Sequence, residues 1–262
     1  MTAVLDVLAA ALYVLCALSN WRGLRTQLAS GLALAALALH AAALLGAVVH
    51  DGNLSLGVTE ALSVFAWQAA LLLWVFCLVQ PVHALGVAIY PLAAIAAIGA
   101  ALWPTPMAAI PLSDWKIQLH VVLSLFSAGF LTLAAAQAVT LAVQDRLLHD
   151  KAPGRLVDTL PPLQTMERLL FLMIGLGFFM LSLSLLSGLL FVDNLMAQHL
   201  AHKTVLSLAA WGVFGGLLWG RWRRGWRGRT AIRWALTGYG VLILAYFGSK
   251  LVLEQILSRH WS

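Results

Sequence analysis

Between Glu60 and Asp114 lie 53 residues that contain no Asp, Glu, Lys or Arg. A water-facing helix or strand alternates polar with apolar positions, so no soluble core produces such a run. The whole chain follows suit, since only 10% of its 262 residues are charged against 62% hydrophobic. Ordinary soluble domains carry roughly 25% charged residues. A soluble enzyme, a disordered tail and a nucleic-acid-binding domain are excluded on this ground, and two cysteines exclude a disulfide scaffold. What remains is an all-α polytopic membrane protein, a single transmembrane domain over residues 1–262.

A helical span needs about 20 mostly apolar residues to cross roughly 30 Å of hydrocarbon. That ruler predicts eight spans, at residues 3–19, 28–49, 59–79, 84–103, 117–143, 169–192, 204–220 and 231–257. Four fall in residues 1–110 and four in 111–262. Turn chemistry separates them: Asn20-Trp21-Arg22-Gly23, His50-Asp51-Gly52-Asn53, Gln80-Pro81, Pro104-Thr105-Pro106, and a longer connection holding Pro153-Gly154 and Pro161-Pro162.

The basic residues predict the orientation. Arg22, Arg25, Arg146, Lys151, Arg155, Arg168, Arg221, Arg223, Arg224, Arg227, Arg229 and Arg233 gather on one side, and Lys116, Lys203, Lys250 and Arg259 on the other. The positive-inside rule puts the dozen in the cytoplasm and both termini outside. The net charge of +6 is read mostly as this topology signal, and Arg221–Arg229 as part of it rather than as an anionic-lipid or nucleic-acid patch. The first span lacks a basic leader, carries Asp6 and is followed by Arg22 and Arg25, so a retained anchor is expected. Cys16 and Cys77 sit in different spans without a Cys-x-x-Cys pair and read as packing residues.

No phosphate-binding glycine loop, His-Glu-x-x-His or nucleophile elbow is present. Ionisable residues within spans are few, and eight histidines stand out. Asp114-Trp115-Lys116 reads as an interfacial anchor, and His120 lies one helical turn deeper on the same face. His202 mirrors it, beside Lys203 at the start of the seventh span. Two neutral imidazoles at one depth suit the axial positions of haem iron. His40, deeper in the second span, is the reserve ligand, and a buried hydrogen bond is its plainer role. His199 is an alternate, while His50 and His260 read as surface and chain end. Lys250 and Glu254 are spaced for an ion pair, and Lys250 or Lys203 suits the carboxylates of a bound molecule. Trp103, Trp115, Trp211, Trp219, Trp222 and Trp226 read as an interfacial belt, and Gly212, Gly215, Gly216 and Gly220 as a seam for close helix packing. A cofactor-free scaffold or regulatory subunit of an enzyme or ion-transport system is the rival reading. A solute or cation transporter fits less well, for want of acids in mid-span.

Four blocks stand out between Trp115 and about Lys250: Leu119-His120-Val121-Val122, Met166-Glu167-Arg168 leading to Gly175-Leu176-Gly177-Phe178, Leu186-Ser187-Gly188, and Tyr246-Phe247-Gly248. In their order and spacing this half of the chain resembles the cytochrome c assembly family, the haem-handling membrane proteins of the CcsA type. The segments Leu160-Pro161-Pro162-Leu163-Gln164-Thr165 and His202-Lys203-Thr204-Val205-Leu206-Ser207, with the eight-span plan, are similar to its small bacterial YpjD/HemX-like branch. The resemblance implies haem handling in the inner membrane, within cytochrome c assembly or a related haem pathway, with His120 at an external haem ligand. Haem b is the implied cofactor, and the implied partners are other cytochrome c assembly or membrane proteins and the lipid bilayer, with no nucleic acid. Three features depart from the family pattern. The tryptophan-rich Trp-x-Trp-Asp segment is replaced by Ala197-Gln198-His199-Leu200-Ala201-His202-Lys203, a family histidine falls at Trp219, and His260 lies about one turn past the terminal histidine position. Those departures argue against haem lyase activity.

Overall fold

The computed structural model describes residues 2–23, 26–50, 53–54, 58–103, 110–111, 115–150, 160–191 and 198–245. Eight α-helices stand among them: α1 Thr2–Arg22, α2 Thr26–Val48, α3 Val58–Val79, α4 Gly86–Leu102, α5 Trp115–His149, α6 Leu163–Phe191, α7 Gln198–Arg224 and α8 Gly228–Ile243. Each overlaps one predicted span. The first six are long and apolar enough to cross a membrane, α4 together with the 3₁₀ turn His83–Leu85 that leads into it. The predicted eighth span is described as helix as far as Ile243, and its remainder from residue 246 onward lies outside the described residues.

Several helices overrun the predicted spans. The first continues through Asn20-Trp21-Arg22 and stops at Gly23, whose φ of +63° is a left-handed helix end that suits glycine. The 35 residues of α5 amount to a rod of about 52 Å, well beyond about 30 Å of hydrocarbon. Three two-residue strands, β1 Val49–His50, β2 Asn53–Leu54 and β3 Ile110–Pro111, form a small antiparallel sheet in the order β1-β2-β3. The first two flank Asp51-Gly52, a dipeptide that favours tight hairpins. The span pattern did not foresee this sheet, and it is too short to alter the helical class.

The chain forms two compact units, Met1–Trp115 with Pro153–Pro161, and Lys116–Ala152 with Pro162–Ser262. In the first, α1 packs on α2 and α4, and α3 packs on the same two helices. Small residues face inward and large ones outward: α1 buries Ala9, Ala10, Tyr13, Cys16 and Ala17 while Val4, Val7, Leu8, Val14, Leu15 and Leu18 are exposed. That inversion suits helices solvated by lipid, where small side chains let backbones approach. Polar ties run between helices here, including Trp67 Nε1 to the Leu37 carbonyl at 2.9 Å and Trp74 Nε1 to the Ser30 carbonyl at 3.2 Å.

In the second unit, α7 packs on α6 and α8. Helices α5 and α6 are joined by Ser127 Oγ donating to the Gly177 carbonyl at 3.1 Å and Gln137 Nε2 to the Met166 carbonyl at 3.0 Å. Leu131 lies over Gly177, where any side chain would collide with it. The glycines of α7 do allow close packing, against aromatic rings. Gly215, Gly216 and Gly220 face Phe178, Trp234 and Trp226, whose side chains fill the seam. Trp211 departs from the belt reading, since it stacks on Phe178 with centroids 5.5 Å apart and donates to Ser182 Oγ at 2.9 Å. Glu167 closes the far end of this unit: its Oε1 accepts the backbone N–H of Gly228 at 2.6 Å, placing a carboxylate at the N-terminus of α8.

Candidate functional site

His120 occupies the second turn of α5, four residues past Lys116, whose ammonium lies 5.9 Å from the Phe191 ring centre. Its imidazole is held from α6. Nδ1 stands 3.1 Å from the Ser184 carbonyl and 2.9 Å from Ser187 Oγ. A carbonyl only accepts, so the geometry assigns the proton to Nδ1. Ser187 Oγ in turn donates to the Ser184 carbonyl at 2.8 Å, which leaves its lone pairs directed to the histidine N–H. Ser124 extends the network, donating to the His120 carbonyl at 2.8 Å and lying 2.6 Å from Ser184 Oγ. Gly188 gives the ring its space, because a Cβ there would stand 3.1 Å from His120 Cε1.

With Nδ1 protonated, Nε2 carries the lone pair, and among the described residues it has no hydrogen-bond partner. A histidine whose second nitrogen is fixed on a carbonyl has the arrangement that orients metal-bound imidazoles and raises their basicity. His120 and Ser124 line a cavity of about 670 Å³ with residues of α6 and α7, among them Leu181, Ser184, Lys203, Ser207 and Trp211. Cofactor sites typically measure about 300–1,000 Å³, apolar with a few placed polar groups. Among the described residues no three of His, Cys, Asp and Glu converge as a metal-binding group.

Of the other two histidines expected at a cofactor, only His40 has a described side chain. His40 is fully buried in the first unit, with Nδ1 3.4 Å from Tyr13 Oη and Nε2 2.8 Å from Ser63 Oγ. Both ring nitrogens are thereby engaged, on α1 and α3. His202 belongs to α7, next to the cavity residues Lys203 and Thr204, but its side chain lies outside the described residues. The same holds for the side chains of His199 and His50, and for His260, Lys250, Glu254 and the Tyr246-Phe247-Gly248 block.

Nothing in the sequence pattern links Ser124, Ser184, Ser187 or Gly188 to His120. The last three, spaced i, i+3 and i+4, share one face of α6. Cys16 and Cys77, far apart in sequence, line one 240 Å³ cavity of the first unit with His83 and Tyr90. Cys16 Sγ there donates to the Ala29 carbonyl at 3.2 Å, in keeping with a packing role.

The family model described as cytochrome C assembly protein matches residues 30–257. The inner membrane protein YpjD of Escherichia coli K12 is 40% identical over 139 residues, which cover 53% of this chain and 52% of that protein. An uncharacterized 28.8 kDa protein of Azospirillum brasilense is 36% identical over 54% of this chain and 53% of its own length. The cytochrome c biogenesis protein CcsA of Synechococcus elongatus is 29% identical over 37% of this chain and 30% of that protein. The matched segment thus spans about half the length of the first two relatives and less of the third. No solved structure matches. A polytopic helical chain whose His120, Glu167, Gly177, Ser187 and Gly188 all hold inter-helix positions, and which fits the family model over residues 30–257, belongs to the cytochrome c assembly protein family.

Proposed function

We propose that this protein binds haem in the inner membrane and handles it in cytochrome c assembly or a related haem pathway. The observation that carries the proposal is the His120 imidazole, pinned through Nδ1 to Ser184 and Ser187 at the wall of a 670 Å³ cavity. Among the described residues no cluster of further ligands stands beside this imidazole, an arrangement that suits a macrocycle bringing nitrogens of its own. A bare divalent ion would need three or four protein ligands.

In this reading His120, through Nε2, and His202, one position before Lys203, would hold the haem iron. Leu181, Leu185 and Trp211 supply an apolar wall, and Lys203 a cationic group for propionates. Bound without covalent attachment as haem b, the group supplies a redox-active iron. Ser184 and Ser187 keep the imidazole in one tautomer and one orientation. A position of His120 toward the outer leaflet is the reading that the basic residues at the opposite ends of α5 and α7 support under the positive-inside rule. Location in the inner membrane is supported by the similarity to YpjD, which that protein's name places there. No bond-making step is assigned to the chain. His40, with both nitrogens engaged, serves structure.

The test is the absorption spectrum of the detergent-solubilised chain from haem-replete cells. A Soret band is expected in the parent and its loss in His120→Ala, with loss or a marked shift in His202→Ala. A colourless protein that haemin does not reconstitute overturns the proposal in favour of a cofactor-free scaffold. An unchanged band in His120→Ala moves the site elsewhere.

A further inference from the structure

The end of the second unit remote from His120 carries a separate cavity of about 390 Å³. It lies between the last turns of α5 and the first turns of α8, and Arg146, His149, Arg229 and Arg233 line it with Asp145 and Asp150. Two of the three guanidiniums face a carboxylate: Arg229 Nε donates to Asp145 Oδ2 at 3.2 Å, and Arg146 Nε lies 3.7 Å from Asp150 Oδ2. Both pairs are solvent-exposed. Arg233 has no partner among the described residues, and the cavity keeps a net positive charge.

Its depth matters as much as its charge. Ala142 and Ile232 are the apolar residues of the lining, and charge begins just beyond Ala142, at Asp145. The cavity therefore lies where the apolar stretch of α5 gives way to polar sequence, the level of lipid headgroups. Neighbouring residues bear the marks of that level. Trp222 is 79% exposed, the Arg221 guanidinium lies 4.6 Å from the Phe171 ring centre, and that of Arg224 lies 5.4 Å from Trp219. Amphipathic rings and arginines collect at such boundaries. Basic pockets between helices at this depth bind the headgroups of anionic phospholipids.

We propose that this cavity binds the phosphate of an anionic phospholipid, with Arg233 and Arg229 as the phosphate contacts and Ala142 and Ile232 meeting the start of the acyl chains. Arginine presents a planar fork matched to phosphate oxygens, and exposed ion pairs such as Arg229–Asp145 are weak enough to open for it.

Thermal unfolding of the full chain in detergent tests this, with phosphatidylglycerol, phosphatidylcholine of the same acyl chains, or inorganic phosphate added. The expected result is a saturable rise in Tm with phosphatidylglycerol alone. Arg233→Gln, which breaks no pair among the described residues, is expected to leave the lipid-free Tm unchanged and to weaken the phosphatidylglycerol effect about fivefold. Arg229→Gln weakens it comparably, and His120→Ala leaves it intact. An equal rise with phosphatidylcholine overturns the proposal, as does an unchanged phosphatidylglycerol response in Arg233→Gln. A full response to inorganic phosphate overturns it in favour of a soluble anion.

Discussion

Ser187 Oγ stands 2.9 Å from His120 Nδ1 and at the same time donates to the Ser184 carbonyl at 2.8 Å, so the hydroxyl joins that carbonyl in fixing the proton and the angle of the imidazole. Removing it leaves the carbonyl as sole acceptor. Ser187→Ala is therefore expected to fold, to keep a Soret band and to lower haem affinity by about 10–100-fold. Haemin titration of the apoprotein reads this directly, and unchanged affinity would show that the hydroxyl has no part in ligation.

Gly188 tests the same ring by volume. A methyl there stands 3.1 Å from His120 Cε1, so Gly188→Ala asks the ring to shift by a few tenths of an ångström, and Gly188→Val asks for more. Overpacking of this kind costs about 1–3 kcal/mol. The expected order of haem retention is parent, then Ala, then Val, measured as the haem-to-protein ratio after purification, with helical content by circular dichroism unchanged.

At the other end of the same unit, Glu167 accepts the Gly228 N–H at 2.6 Å. Glu167→Ala leaves that amide without its acceptor at the entry to α8, a loss of roughly 1–3 kcal/mol. Glu167→Gln retains an oxygen acceptor without the charge and is expected to lose less. Thermal melts of the two variants in one detergent separate them, and equal melts would mean that water replaces the carboxylate.

Replacing His40 separates structure from ligation. His40→Ala removes contacts to Tyr13 and Ser63 from a fully buried site and is expected to lower stability by about 1–2 kcal/mol. The haem spectrum of the surviving fraction is expected to match the parent. Loss of the band with an unchanged melt would make His40 a ligand after all.

The eight helices were legible because crossing hydrocarbon demands length and apolarity, and both are local properties of the sequence. Their ends were less so: Trp21 and Arg22 still belong to α1, and α5 runs six residues beyond the predicted 143. Hydropathy measures immersion, and a helix continues into the headgroups until its backbone is capped. His120 was legible by depth, from its one-turn offset below Lys116. Its cradle was not, because depth says nothing of which way a residue points around the helix axis. The same limit explains Trp211 and the glycines of α7. A tryptophan near a helix end and a row of small residues each have two common uses, and only the positions of Phe178, Trp226 and Trp234 decide between them. Ser182 and Ser184 are adjacent to apolar residues throughout, so nothing local distinguishes a ring-holding serine from a lipid-facing one.

Tyr13, His40 and Ser63 come from three different helices and meet at one imidazole. In water such helices would be driven together by their apolar faces, but lipid is as apolar as they are and offers no preferred angle. A shared polar tie does. Each rod can turn about its long axis at almost constant immersion until its polar side chains find partners, and α1 and α3 each bring one to that imidazole. The histidine thus acts as an index pin, setting the azimuth of α1, α2 and α3 against one another beside the Trp67 and Trp74 ties between α2 and α3. A chain without it would still thread the bilayer, with α1 less firmly indexed to the other two.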